Sequence, residues 1–131
     1  MYYVIFVVVL VASVFIMLRK DKRMNINDMA AESHKTSKEK GWYDSHRTFG
    51  DLIALQHSEL SEALEDYRQG KGTSEIYFEG NKPCGIPIEL ADLFIRVGDM
   101  ATAYNIDLEE AIRLKMDFNK TRPHRHGGKT L

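Results

Sequence analysis

Two stretches of this chain put carboxylates where a helix face should be apolar. In FGDLIALQHSELSEALEDYR, residues 49–68, successive helical positions turn by about 100°. Leu52, Leu55 and Ala63 then share one arc, with Leu60, Ile53 and Leu64 further round. Glu59 falls inside that arc, Asp66 close beside it, and Glu62 at its edge. Glu65 falls opposite, with Ala54, His57, Ser58 and Ser61. An ionised carboxylate buried alone is costly, so these acids are either neutral or share their interior with a cation. A second stretch, IPIELADLFIRVGDM, carries Glu89 and Asp92 three apart on one side, beside a stripe of Leu90, Leu93, Phe94, Val97, Met100 and Tyr104. Two helices that each turn an acid pair toward a common interior form a hard-cation site, with Mg²⁺ as first choice and Mn²⁺ as a second. The competing reading is two solvated acidic edges.

Punctuation divides residues 24–131 into four helices. Asn27 is positioned to cap a first helix reaching about Lys40, where Gly41 ends it. Thr48 and Asp51 form a capping box for a second, reaching about Gln69 and stopped by Gly70 and Gly72. Residues 70–86 read as a long loop, with room for a brief hairpin around IYF. Pro87 suits the first turn of a third helix ending near Tyr104, with Asn105 as its left-handed terminal residue. Asp107 and Glu110 repeat the capping pattern for a fourth helix to about Lys120, and Pro123 prevents its continuation. Leu108, Ala111, Ile112, Leu114 and Phe118 define the apolar face of that last helix. Lys115 and Asn119 stand within it, four apart. Next to a carboxylate site they suit phosphate oxygens; the alternative is a lysine snorkelling at the edge of the core. The third helix also carries Ile88 and Ile95 away from its main stripe, with Ala91 and Gly98 nearby. A helix apolar on two sides wants two partners, which points to self-association.

The first 18 residues, MYYVIFVVVLVASVFIML, differ from everything after them. As a helix they would span about 27 Å, enough for a bilayer core, and Arg19, Lys20, Lys22 and Arg23 follow at once. The positive-inside rule predicts a single-pass anchor over 1–18 and a cytoplasmic chain from residue 19 onward. A cleaved signal peptide fits less well, because VFIML continues past the small residues Ala12 and Ser13. A buried core helix and a physiological start at Met24 are the other readings. The expected organisation is thus a transmembrane helix over 1–18, a basic linker over 19–27 and an all-α domain over 28–131. With 18 basic and 19 acidic residues the formal charge is −1, which makes no electrostatic case for nucleic acid. The single cysteine, Cys84, excludes an internal disulfide and is expected in a loop as a bystander thiol.

The ordered set Ser58-Glu59-Leu60-Ser61-Glu62, then Glu89-Leu90-Ala91-Asp92, then Lys115 and Asn119, then RPHRHGGK resembles the MazG-like all-α nucleoside triphosphate pyrophosphohydrolases, the group that includes the helical dCTP and dUTP pyrophosphatases. EKGWYD and GIPIELADLFIR belong to the same resemblance, which covers about residues 28–129. Ser58 departs from the EExxE pattern, on the outward arc. The resemblance implies a four-helix MazG-like bundle that cleaves nucleoside triphosphates between the α and β phosphates, releasing a monophosphate and pyrophosphate. Glu59, Glu62, Glu89 and Asp92 would hold Mg²⁺. His34 and Trp42 would lie near the base, with Tyr43 as a substitute for Trp42, and Lys115, Asn119 and Arg122 would meet the phosphates. It also implies a homodimer or a dimer of dimers. A di-iron bundle would need ExxH on two helices; positions 62 and 92 are Glu and Asp. A catalytically silent, membrane-tethered helical adaptor that binds nucleotide is the non-enzymatic alternative.

Overall fold

The computed structural model describes residues 25–124. The anchor expected over 1–18, the linker up to residue 24 and the tail beyond residue 124 lie outside the described residues. Among the described residues four helices and one short hairpin give an all-α architecture: α1 (Ile26–Glu39), α2 (Phe49–Arg68), β1 (Tyr77–Glu79), β2 (Lys82–Cys84), α3 (Ile86–Ala103) and α4 (Leu108–Thr121). No helix among the described residues is long and apolar enough to cross a membrane.

Helix starts follow side-chain capping. Asn25, not Asn27, caps α1: its Oδ1 accepts from Asp28 N at 2.7 Å. Asn27 lies one residue inside the helix and is used across the fold. Its Nδ2 donates to Asp107 Oδ1 at 3.0 Å, and its Oδ1 accepts from Glu109 N at 3.2 Å, pinning the start of α4 to the start of α1. At α2 the capping box forms in both directions, between Thr48 and Asp51. Asp107 caps α4 by accepting from Glu110 N at 3.0 Å. Asn105 ends α3 with φ 55, the left-handed turn expected of it.

The expected loop over 70–86 does contain a hairpin, antiparallel with Tyr77 opposite Cys84 and Glu79 opposite Lys82. Cys84 therefore ends a strand instead of lying in a loop, and it is buried. Tyr77 OH donates to Asp66 Oδ1 at 3.4 Å, which ties the hairpin back to α2. The chain then turns sharply at Gly85, φ 115, into α3, with Pro87 in the first turn.

α3 is the hub, packing against both α1 and α2, while α4 touches the start of α1 more lightly. The α1 contact is close because α3 offers Gly98 there, and a Cβ at that position would sit 3.0 Å from Ala30 Cα. This corrects one sequence expectation, since Gly98 serves a partner within the chain and not a second copy. The buried apolar set is small: Ala30, Leu52, Ala63, Cys84, Ile86, Met100 and Ala101. α4 contributes no buried residue. Its Leu108 and Ile112 reach an apolar cavity of about 400 Å³ beside Ile26, Met29, Leu93 and Val97, whereas Leu114 and Phe118 point out to solvent. The single apolar face expected for this helix is thus divided between two directions.

A candidate metal centre between α2 and α3

The amphipathic pattern of α2 turns Leu52, Glu59 and Ala63 to the interior, and all three are buried, with Glu59 only 3% exposed. Facing them, the first two turns of α3 supply Glu89, also buried, and Asp92, half-buried. One carboxylate oxygen from each of Glu59, Glu89 and Asp92 lies within 4.8 Å of the other two, spacing compatible with a shared cation. Oxygen donors alone in such a group suit a hard divalent ion. Glu62, expected as the fourth ligand, is exposed and stands outside this trio. Its charge still reaches the trio. Burial is the first cause of the raised pKa of Glu89, and among the neighbouring acids Glu62 contributes most, ahead of Asp92 and Glu59; Lys82 of β2 offsets them in part. Ser58, in place of the family acid, is half-buried and not outward, and its hydroxyl donates to Leu55 O within its own helix at 2.6 Å.

The cation that the buried Glu59 requires is Arg96, whose Nε lies 2.5 Å from Glu59 Oε1. Sequence reading passed over this residue, and over Asp99. Both continue the spacing of the acid pair: 89, 92, 96 and 99 advance by three, four and three, one stripe of a helix. Asp99 Oδ1 accepts from Tyr43 OH at 2.7 Å and meets His34 Nδ1 at 2.7 Å. The His34 and Tyr43 rings pack edge to face at 4.9 Å. Burial first, and then the hydrogen bond to Asp99, push the Tyr43 hydroxyl well above the usual phenol range.

The other expected site residues are spread out. Trp42 is half exposed, with the Arg47 guanidinium 4.8 Å from its ring centre. It lines a second cavity of about 400 Å³, along α1 with Met29, Ser33, Ser37 and Ile95. Lys115 and Asn119 are exposed on α4 and not within a core. Lys115 Nζ and the Arg122 guanidinium both rest against the Phe118 ring, at 5.1 and 5.8 Å.

The acids make opposite contributions to pH dependence. Because its folded pKa is raised, Glu89 costs stability once ionised, and that cost disappears as pH falls through the raised value toward the ordinary glutamate pKa of about 4.3. Asp51 and Asp107 are held low, Asp51 by Thr48 N–H and then its hydroxyl, Asp107 by the Asn27 amide and then Glu110 N–H. Their contribution is present above the ordinary aspartate value of about 3.9 and is lost as pH falls through the depressed one. In chelator, Tm should therefore rise as pH falls from neutral toward the ordinary glutamate value of about 4.3, and fall again below the ordinary aspartate value of about 3.9. Thermal melts across that range test it, and Glu89→Gln should flatten the upper arm alone.

Comparison with protein-family models, with curated proteins and with solved structures gives no match.

Proposed function

We propose that this chain is a Mg²⁺-dependent nucleoside triphosphate pyrophosphohydrolase with a MazG-like bundle, cleaving between the α and β phosphates. The observation that carries the reading is the trio of carboxylates from two helices, two buried and one half-buried, with oxygens within 4.8 Å. The donor chemistry fits: three hard oxygen ligands lie close together, and burial first, then the charges of Glu62, Asp92 and Glu59, raise the pKa of Glu89, a load that a dication would relieve. Glu59, Glu89 and Asp92 would hold the ion, with Mn²⁺ as a substitute. When bound, Mg²⁺ supplies neutralisation of the phosphates and acidification of a water. Glu62, at the solvent side of the trio, is the fourth carboxylate, available to orient that water. His34, held by Asp99, and Trp42 with Tyr43 remain the candidates for the base. Lys115, Asn119 and Arg122 remain the candidates for the phosphates, in a homodimer or dimer of dimers. Self-association is supported by apolar surface that a monomer rarely leaves open: Phe94 is 62% exposed, and Leu114 and Phe118 are more than half exposed.

One observation favours a second reading. Arg96 already neutralises Glu59, so the fold closes without a metal, as a catalytically silent helical adaptor would require. The deciding experiment incubates the full chain with a nucleotide panel and Mg²⁺, and measures pyrophosphate. The enzymatic reading expects pyrophosphate and monophosphate in equal amounts, abolished by chelator. Bound but intact nucleotide would leave the adaptor.

A further inference from the structure

The Glu59 carboxylate belongs to two arrangements at once. It is one of three acids whose oxygens gather within 4.8 Å, and its Oε1 is held by Arg96 Nε. With a side chain only 4% exposed, Glu59 cannot stay ionised and unpaired. In the metal-free protein the Arg96 guanidinium is the charge partner of that carboxylate. A dication among Glu59, Glu89 and Asp92 would bring two further positive charges against that guanidinium. Proton loss cannot relieve the conflict, because arginine does not deprotonate in proteins. Movement can. The Arg96 side chain is 34% exposed, so it has solvent to move into, whereas Glu59 has none. Among the described residues Glu59 is its one ion-pair partner, so no second carboxylate there fixes the guanidinium. It also rises from α3 four residues past Asp92, on the same stripe.

We propose that Arg96 is a displaceable counter-ion: it holds Glu59 until a divalent cation binds, then leaves that carboxylate and turns its planar fork to the phosphate oxygens of the nucleotide. Metal loading and substrate capture are then linked through one side chain. The fork suits phosphate as well as it suits carboxylate. The proposal rests on the trio being a metal site.

The test uses Mn²⁺ alone, without nucleotide, on the full chain, with affinity measured by calorimetry and by the Mn²⁺ paramagnetic resonance signal. Arg96→Met keeps the bulk and removes the charge. It should tighten Mn²⁺ binding by about tenfold or more, since close like-charge juxtaposition is strongly unfavourable. Arg96→Lys keeps the charge and should stay within about threefold of wild type. A purely structural role for Arg96 would give the opposite sign for Arg96→Met, a looser site and weaker metal binding. Unchanged or weaker binding in that variant overturns the proposal while leaving the metal site standing. A wild-type chain that binds no Mn²⁺ overturns both. Should Arg96→Met fail to fold, the wild type still decides. On Mg²⁺ titration the ¹⁵N-resolved Arg96 Nε–H resonance should leave its carboxylate-bonded position. A resonance unmoved at saturating Mg²⁺ refutes displacement.

Discussion

Glu89→Gln is expected to lower Mg²⁺-dependent pyrophosphate release by more than about 100-fold, because even residues that merely orient metal ligands cost 10- to 100-fold when changed. The same substitution should leave the metal-free protein more stable at neutral pH. Glu89 is buried among Glu62, Asp92 and Glu59, and its raised pKa records that its ionised form is disfavoured there. Glutamine keeps the shape and removes the charge, so the repulsion goes with it. A Tm gain of roughly a few degrees corresponds to a change below about 1 kcal/mol. A site that gains stability when its chemistry is removed is the pattern of a functional centre. Glu65→Gln is the matched control: Glu65 is exposed and meets Arg68, at 3.9 Å, and Gln69. Kinetics and melts on both variants decide the point. Equal losses of turnover at Glu65 and Glu89 would remove the case for the trio, and a large fall in Tm for Glu89→Gln would mean that the charge is structural.

Gly85→Ala should be the most damaging single methyl group in the described fold. With φ 115 the backbone is in a region that side chains rarely adopt, and the added Cβ would collide with the Glu75 carbonyl oxygen. Backbone strain of this kind costs of order 1–3 kcal/mol, and the collision adds to it, so a total of about 3 kcal/mol or more is expected. The damage has a direction. Gly85 joins β2 to α3, and its carbonyl accepts from Ile88 N and Glu89 N at 2.8 and 3.1 Å. A displaced turn therefore moves Glu89 itself. Chemical denaturation should show the loss of stability. Metal affinity should fall further than Tm alone accounts for, and equal Mn²⁺ binding in wild type and variant at a temperature where both are folded would contradict the coupling.

Much of this fold was legible because helix ends are local events. Thr48, Asp51, Asn105 and Asp107 each act within a few residues of their own position, so their roles follow from spacing. Asn25 and Asn27 show the limit. Both are good caps, and only the position of α4 decides which one is left to bridge to Asp107. The inward arc of Glu59 was legible from the wheel, and so was the outward one of Glu65. Glu62 was not, because an edge position is resolved only by how closely the neighbouring helix approaches, and here it is left exposed. Arg96 was hidden by chemical habit: an arginine four residues past an acid reads as a surface pair, whereas its partner lies on another helix. For Lys115 and Asn119, the wheel assumed that one apolar face meets one neighbour; α4 divides its apolar residues between a cavity and solvent.

The polar stripe on α3 also bears on alignment. From Glu89 to Asp99 it runs about 15 Å, meeting Glu59 of α2 through Arg96 and His34 of α1 and Tyr43 through Asp99. The buried apolar set around it is small, and its shape resists a slide of one turn where Gly98 meets Ala30. The charged and hydrogen-bonded pairs resist it too, because a slide of about 5 Å separates the buried Glu59 and the half-buried Asp99 from their partners. α3 thus works as a ratchet bar whose teeth are its ion pairs. Helical register in this small core is set by electrostatics as much as by shape, a use to which buried polar residues are put in paired helices.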